Sequence, residues 1–220
     1  MQREIQLTAD GSHTISIPEM KMTYHSHHGA IAESIHVYIN AGLLPLITPP
    51  TRNPLTILEI GFGTGLNALL SLQEAVRNKQ VIQYTAVELF PLTQAEFSQL
   101  NYGSLLAMRE EFLQLHISPW SKPVSINPFF SLNKKNISLL NLSDIDPVNL
   151  IYFDAFSPTH QPELWTQEVF ENIYKLLVPG GVMVTYCSKS EIRRNMVAAG
   201  FKVEKIPGPY GKREMVRARK

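Results

Sequence analysis

The sequence predicts an α/β fold in which a doubly wound, mostly parallel sheet is preceded by a small β-hairpin and a helix. From residue 55 onward, short apolar runs alternate with amphipathic stretches of helical period. A glycine-rich turn inside LEIGFGTGLNALL (58–70) joins the first of these runs to the first helix. Strands that are separated by helices need crossover connections, and such connections place the strands parallel to one another.

Each element of this fold has its own sequence signal. Helical spacing predicts helices from about Leu66 to Arg77, from about Leu92, and over 104–117, 162–178 and 190–200. The helix over 162–178 has proline in its first turn and Pro-Gly-Gly after its end, which are helix boundary signals. Apolar runs predict the strands LTILEI (55–60), VIQYTAVEL (81–89), ISLLNL (137–142), VNLIYFD (148–154), GVMVTYCS (181–188), FKVEKI (201–206) and REMVRAR (213–219).

An N-terminal extension precedes the sheet. Residues 1–24 alternate apolar and polar around Asp10-Gly11, which favours a β-hairpin. In GAIAESIHVYINAGL (29–43) apolar residues recur at helical spacing, and the pattern stops near Gly42. The four prolines of PLITPPTRNP (45–54) then predict a non-helical connector. We therefore expect an extension over 1–50 and a main domain over 51–220.

The composition is that of an ordinary globular protein in a reducing compartment. The 220 residues carry a formal net charge of +1, so the whole chain does not attract nucleic acid, although basic residues gather after Lys202. The single cysteine, Cys187, excludes an intramolecular disulfide and a cysteine-built zinc site. Apolar runs stay below the roughly 20 residues of a membrane span, and the N-terminus lacks a signal-peptide core. The sequence therefore predicts a cytoplasmic protein without a membrane partner.

The glycine turn is an anion- or nucleotide-binding element, since glycine permits close approach of the backbone to a ligand. Leu66 occupies the third glycine position of the dinucleotide fingerprint, and the Gly-Lys-Ser/Thr of phosphate loops is absent. What is left is acidic-x-Gly-x-Gly-x-Gly, formed by Glu59, Gly61, Gly63 and Gly65. This pattern resembles that of class I, Rossmann-like methyltransferases that use S-adenosyl-L-methionine, where the turn accommodates the amino-acid part of the cofactor.

Two further places complete the cofactor hypothesis. Glu88 ends the second predicted strand, where such folds use a carboxylate to accept hydrogen bonds from both ribose hydroxyls. Ser143 and Asp144 end the third predicted strand, where such folds contact the adenine. The alternatives are that Glu88 is a surface charge and that Asp144 caps a turn.

The segment LIYFDAFSPTHQPELWT (150–166) points to the reaction itself. Its strand ends in Asp154, and ligands of open parallel sheets bind beyond the carboxyl ends of the strands. A carboxylate there can accept a proton from a nucleophile that attacks a methyl group, which makes Asp154 the candidate catalytic residue. The alternative is a carboxylate that organises the following loop.

Three segments resemble one family more closely. TYHSHHGAIAESIHVYINAGL (23–43), YFDAFSPTHQPELWT (152–166) and residues 179–218 are similar to the tRNA 5-methylaminomethyl-2-thiouridine methyltransferase family, which includes the methyltransferase domain of bifunctional MnmC enzymes and a stand-alone form. The resemblance implies methylation of the primary amine of 5-aminomethyl-(2-thio)uridine at the wobble position of the tRNA anticodon loop. No flavin oxidase sequence follows Lys220, so we expect the stand-alone form and a separate enzyme that supplies the aminomethyl-uridine.

The same resemblance implies contacts with cofactor and substrate. Glu33 is expected to reach over the cofactor, and Phe156 and Tyr186 to stack on the flipped wobble base. Lys212 and Arg213 are expected to hold tRNA phosphates or the target loop. For each of these residues the alternative is a packing role or a solvated surface charge.

Other functions and ligands are weighed on the same residues. His25, His27 and His28 lie close together in the sequence without the spacing of a metal site, so no metal is expected. A first rival function is transfer to a small-molecule amine, as in aminopropyl-transferring relatives of this fold. A second is a non-catalytic module that binds the cofactor or tRNA. A third, an NAD-dependent oxidoreductase, is disfavoured by the glycine spacing.

Overall fold

The computed structural model describes residues 2–47 and 53–220. The chain begins with a three-stranded antiparallel sheet of β1 (Glu4–Leu7), β2 (His13–Ile17) and β3 (Met22–Thr23). Gly11 lies in the turn between the first two strands at a φ of +81°, a left-handed conformation that glycine adopts without strain. The predicted N-terminal hairpin is confirmed, with a third short strand added.

The helix that follows, α1 (Ala30–Ile47), is longer than predicted, and its middle, Ile35–Leu43, is π-helical. The predicted end near Gly42 is wrong, since Pro45 lies within the last helical turn. The Leu44 N–H bonds to the carbonyl of Ile39, five residues back, which is the wider spacing of a π-helix. In a regular α-helix the ring of Pro45 would collide with the carbonyl four residues before it, and the wider turn relieves this collision. The predicted domain boundary at residues 50–51 lies outside the described residues.

The 18 residues of α1 are long and apolar enough to meet the criteria for a bilayer span by length and composition. In this fold the helix packs on the central sheet, and Val37 and Leu43 are fully buried. A Cβ added to Gly42 would meet the side chain of Val184 at 3.0 Å, so helix and sheet are in close contact there. Burial against the sheet accounts for the apolar composition of α1.

The eight remaining strands form one sheet. In chain order they are β4 (Leu55–Ile60), β5 (Ile82–Val87), β6 (Val124–Asn127), β7 (Phe130–Lys135), β8 (Val148–Phe153), β9 (Leu177–Thr185), β10 (Lys202–Pro207) and β11 (Glu214–Arg219). Their order across the sheet is β10-β11-β9-β8-β4-β5-β7-β6. β4, β5, β7, β8 and β9 pair in parallel, whereas β11 runs antiparallel to β9. The predicted doubly wound, mostly parallel sheet is therefore confirmed.

Helices cover both faces of this sheet. They are α2 (Leu66–Asn78), α3 (Gln94–Phe97), α4 (Tyr102–Leu105), α5 (Arg109–Ile117), α6 (Gln167–Leu176) and α7 (Ser190–Ala198). Successive residues of a strand point to opposite faces, so Ile57 of β4 joins the core formed with α1 and α2, and Leu58 joins the core formed with α6 and α7. The N-terminal extension contributes Ile15 to the first of these cores.

The predicted strand ISLLNL (137–142) is wrong. Its centre is a 3₁₀ turn over Leu139–Asn141, and the Ser138 hydroxyl accepts the backbone N–H of Leu140 at 3.2 Å. On the side of β5 away from β4, the neighbouring strand is β7. The sequence pattern missed this strand because FSLNKK looks polar. Lys134 of that strand is only 1% exposed, and its ammonium bonds to the carbonyl of His116 at 2.6 Å. A tertiary contact therefore stabilises a strand that its own composition disfavours.

Three predicted helices are shorter or broken. The helix over 104–117 is divided into α4 and α5, because Ala107 adopts a left-handed φ of +54° between them. The helix expected from Leu92 reduces to α3, which begins with a capping box at Thr93. The helix over 162–178 begins as a 3₁₀ turn, Pro162–Trp165, before α6.

Candidate active site

A cavity of about 450 Å³ opens at the carboxyl ends of β4, β5 and β8. This is where open parallel sheets bind ligands, and the volume is typical of small-molecule sites. The wall is built from the whole length of the chain. It includes residues 21–28, Glu33 and Tyr38 from the N-terminal extension, residues 60–64, 87–90, 137–140 and 154–157 from the loops after the strands, and Tyr186 and Lys212 from the C-terminal part.

The glycine turn brings the backbone against the catalytic candidate. Gly61 has a φ of +93°, and a Cβ there would meet the backbone carbonyl oxygen of Asp154 at 2.7 Å. Only glycine fits this position without moving one of the two strand ends. Gly63 lines the cavity, whereas Gly65 is buried and faces the ring of His116, at 2.9 Å from the position of an added Cβ.

Glu88 stands at the end of β5 on the cavity wall, as predicted from its strand position. One carboxylate oxygen accepts the N–H of Gly63 at 2.9 Å, and the other accepts the N–H of Phe90 at 2.8 Å. Each oxygen keeps a free lone pair, so the carboxylate is fixed in place and still able to accept two more hydrogen bonds. Next to it, Leu139 and Leu140 give the cavity an apolar side.

Asp154 lies at the end of β8 with its carboxylate held by two donors. The Tyr38 hydroxyl donates to one oxygen at 2.5 Å, and the Asn67 amide donates to the other at 2.9 Å. Burial raises the pKa of Asp154 to about 7, although both hydrogen bonds favour the ionised form. A carboxylate with a pKa near neutrality is suited to accept a proton and release it again.

Glu33 and Lys212 close one side of the cavity. The Lys212 ammonium lies 2.7 Å from the Glu33 carboxylate and 4.3 Å from the centre of the Tyr186 ring. The second oxygen of Glu33 accepts the backbone N–H of Ser26 at 2.7 Å. Burial alone would raise the pKa of Glu33, but Lys212 and these hydrogen bonds hold it below its usual value. The site therefore contains a partly buried ion pair opposite Asp154.

The two predicted aromatic contacts both line the cavity. The Tyr186 hydroxyl donates to the carbonyl of Ala155 at 2.9 Å, which fixes its ring beneath the Lys212 ammonium. The ring of Phe156 meets that of Tyr24 edge to face at 5.0 Å. Each ring is half-buried, and the Lys212 ammonium already lies over the Tyr186 ring.

Four other predicted residues do not line the cavity. Glu59, which precedes the glycine turn, is completely buried. Arg213 is exposed and follows Lys212, which does line the cavity. Ser143 and Asp144 are exposed in the loop before β8, because the strand that was expected to carry them to the cavity does not form. The cavity wall at that place is formed by residues 137–140, so the expected strand-end position of Ser143 and Asp144 is corrected.

Two of the three clustered histidines contact other parts of the protein. The ring of His25 is buried and lies 2.8 Å from the Thr64 hydroxyl, and burial lowers its pKa to about 4. His28 packs against Gly211 of the C-terminal hairpin. Across residues 2–47 and 53–220, no group of three metal-ligating side chains comes together.

Sequence reasoning missed the two residues that hold Asp154. Tyr38 was predicted as one more member of the apolar helix stripe, and Asn67 stands in the first turn of α2 without a motif of its own. Asn67 is 3% exposed in a buried and mostly apolar run, LNALLSL. A polar side chain on the buried side of a helix that follows a glycine turn is a signal that could have identified it.

Comparison with known proteins identifies the family of this chain. Residues 94–220, more than half of the chain, match the model of a family described as S-adenosyl-L-methionine-dependent methyltransferase. The chain is also similar to bifunctional proteins named MnmC, of tRNA 5-methylaminomethyl-2-thiouridine biosynthesis. The identity is 29% over 218 residues with that of Cupriavidus metallidurans and 31% over 209 residues with that of Leptospira borgpetersenii. These alignments cover 92% and 88% of this chain, which spans about a third of the length of either relative, 32% and 31%.

Solved structures show the same relationship. MnmC2 from Aquifex aeolicus superimposes with a TM-score of 0.81 at 25% identity, over 99% of this chain and 69% of that one. Spermidine synthase from Thermotoga maritima has a TM-score of 0.56 at 13% identity, over 99% of this chain and 68% of that one, a likeness that shows the fold alone. From the family match, we conclude that this chain belongs to the S-adenosyl-L-methionine-dependent methyltransferases and uses that cofactor.

Proposed function

We propose that this protein methylates the primary amine of 5-aminomethyl-(2-thio)uridine at the wobble position of tRNA. The names of the MnmC relatives support the substrate. The observation that carries the proposal is Asp154, a carboxylate with a pKa of about 7 that lies at the cavity between Tyr38 and Asn67. A primary alkylamine is mostly protonated at neutral pH, so its methylation needs a base of this kind.

The reaction needs a neutral amine, a methyl donor and alignment of the two. When bound, S-adenosyl-L-methionine supplies an electrophilic methyl carbon on a sulfonium leaving group. Asp154 orients the amine and takes its proton, directly or through water, which frees the nitrogen lone pair for attack. The new N–C bond replaces the C–S bond, and the proton leaves on the carboxyl group of Asp154. Holding the reactants in line supplies much of the rate.

The cofactor is assigned to the glycine-turn side of the cavity. Leu139 and Leu140 would contact its nucleoside, and the free lone pairs of Glu88 would accept the ribose hydroxyls. Gly61 and Gly63 leave room for the amino-acid part. Of the other predicted cofactor contacts, Glu33 faces the cavity, whereas Ser143 and Asp144 would need a different loop arrangement to reach it.

The tRNA is assigned to the opposite side. Phe156 and Tyr186 line the cavity, and an unstacked base can lie against such rings, which is how single-stranded bases in RNA loops are usually held. The exposed Arg213 supplies positive charge next to Lys212, whose own charge is paired with Glu33. A separate enzyme would supply the aminomethyl-uridine, and both proteins would act in the cytoplasm.

The test is transfer of a labelled methyl group from S-adenosyl-L-methionine to bulk tRNA that carries unmethylated 5-aminomethyluridine. We expect label in 5-methylaminomethyl nucleosides after digestion. An absence of label in tRNA, with cofactor binding intact by calorimetry, would contradict the proposal. Transfer to small primary amines in the same preparation would then favour the rival substrate, which the net charge of +1 also permits.

Replacing Tyr38 by phenylalanine is expected to change the pH dependence of the reaction. A base must be ionised to act, so kcat/KM of the wild type should rise with pH through about 7, the pKa of Asp154. The Tyr38 hydroxyl stabilises the ionised carboxylate, and its loss should move this rise upward by about one pH unit. Tyr174→Phe, outside the cavity, is the matched control. A rise that stays in place in Tyr38→Phe would separate Tyr38 from the base.

A further inference from the structure

The segment between β5 and α3 carries Glu88 into the cavity wall but has little structure of its own. Residues 88–93 form neither helix nor strand. The side chains of Leu89 and Phe90 are 47% and 51% exposed, so their packing does not anchor the segment. The Phe90 N–H nevertheless bonds to the Glu88 carboxylate at 2.8 Å. The orientation of Glu88 therefore depends on the groups that fix the backbone of this segment.

Arg3 of the N-terminal extension is one of these groups. Its guanidinium donates to the carbonyl of Phe90 at 2.7 Å and to that of Pro91 at 3.3 Å. It also forms an ion pair with Glu96 of α3 at 3.2 Å, and the Arg3 side chain is only 10% exposed. An arginine can make these contacts together because its donors lie in a rigid planar fork. The extension is thus joined to the segment that carries Glu88.

A second side chain supports the same segment from its other end. Asn136, directly after β7, donates to the carbonyls of Glu88 at 2.8 Å and of Leu89 at 3.1 Å. Four successive carbonyls, those of residues 88–91, are therefore bound by two side chains from distant parts of the sequence. Side-chain donors replace the backbone pairing that a helix or a strand would provide.

The contacts of Arg3 reach the Glu88 carboxylate through Phe90. The carbonyl of Phe90 is held by Arg3, and its N–H donates to one carboxylate oxygen of Glu88. The other carboxylate oxygen is held by the N–H of Gly63 in the glycine turn. Without Arg3 the Phe90 N–H would be free to move away, and the carboxylate would keep only one of its two fixed donors.

We propose that Arg3 is a positioning residue of the cofactor site, which holds Glu88 in the orientation that accepts both ribose hydroxyls of S-adenosyl-L-methionine. The inference rests on the proposed placement of the ribose at Glu88 and not on the identity of the methyl acceptor. The alternative role for Arg3 is a contact that only stabilises the fold. The two roles differ in their effect on binding, because positioning concerns the ribose hydroxyls alone, whereas a loss of stability weakens all ligands of the site equally.

The test compares two ligands, S-adenosyl-L-homocysteine and its dideoxy analogue, which lacks both ribose hydroxyls. Titration calorimetry should show that the wild type binds the first at least about tenfold more tightly, since hydrogen bonds to a charged acceptor are strong. Arg3→Met keeps the apolar length of the side chain and removes its donors. It should weaken binding of the first ligand by about tenfold and of the analogue by less than about threefold, so that the preference is largely lost.

Arg3→Lys is the second variant, and it serves the test even where Arg3→Met does not fold. It keeps the charge beside Glu96 but lacks the fork, so it should lower the preference in the same direction. The matched control is Arg217→Met, which alters a partly buried arginine that is paired with Glu204 outside the cavity. This control should keep the preference of the wild type.

Equal weakening of both ligands in the Arg3 variants would show a purely structural role and overturn the inference. A wild type that binds both ligands equally would contradict the placement of the ribose at Glu88, and the inference with it. No methyl acceptor is present in these titrations. Failure of the wild type to methylate tRNA would therefore contradict the proposed substrate and leave the role of Arg3 to be decided by the two ligands.

Discussion

Replacing Asp154 by asparagine is expected to lower kcat for methyl transfer by at least about 100-fold, the usual range for loss of a general base. The amide keeps the shape of the side chain and can still accept from the Tyr38 hydroxyl, which donates to Asp154 at 2.5 Å. It cannot take a proton from the substrate ammonium. The affinity for S-adenosyl-L-methionine, measured by calorimetry, should change by no more than a few-fold, because the proposed cofactor contacts lie on Gly63 and Glu88.

The control is Asp146→Asn, which alters an exposed carboxylate outside the cavity and should leave kcat unchanged. An Asp154→Asn variant that turns over at the wild-type rate would remove Asp154 from the mechanism. Asp154→Asn should regain activity only as the pH approaches the pKa of the substrate amine, where the free amine forms without a base, whereas Tyr38→Phe should recover about one pH unit above the wild type, because its base is present but ionises later.

Gly61→Ala is the second change with a large expected effect. The added Cβ would come within 2.7 Å of the backbone carbonyl of Asp154, and the φ of +93° is one that alanine rarely adopts. Strain and displacement together should cost roughly 3 kcal/mol, which corresponds to a loss of affinity for S-adenosyl-L-methionine of about 100-fold. Titration calorimetry with the cofactor alone measures this loss.

Gly180→Ala separates the contact from the backbone strain. Gly180 also has a positive φ, +78°, but no atom of the described chain lies within 4 Å of the position of its Cβ, and the residue is far from the cavity wall. It should lower the melting temperature slightly and keep the cofactor affinity. Equal affinities in Gly61→Ala and the wild type would show that the glycine turn does not form the cofactor site.

Much of the central sheet could be predicted from the sequence, because its parallel strands are buried on both faces and read as continuous apolar runs. LTILEI and VNLIYFD are of this kind, and the structure has strands at both. FSLNKK is not, since Lys134 finds its partner in the carbonyl of His116, which no local pattern reveals. Because this strand was missed, a strand was predicted over 137–142 instead. Ser143 and Asp144 were then predicted at its end, next to the cofactor.

The candidate site was predictable where it depends on strand ends. Glu88 and Asp154 follow neighbouring parallel strands, and the carboxyl ends of such strands converge at one edge. Tyr38 could not be found in this way, because its contact with Asp154 spans 116 positions of the sequence and depends on how α1 packs on the sheet. The pairing of Lys212 with Glu33 spans 179 positions and has the same origin.

The contact between α1 and Asp154 also limits how this protein can be divided. The family match begins at residue 94, yet Tyr38, which donates to the Asp154 carboxylate, lies in the N-terminal extension. A fragment that starts after the proline connector would contain the strands, the glycine turn and Asp154, but it would lack Tyr38 and the helix that covers this face of the sheet. Split-protein designs and chimaeras should therefore treat the extension and the sheet as one catalytic unit.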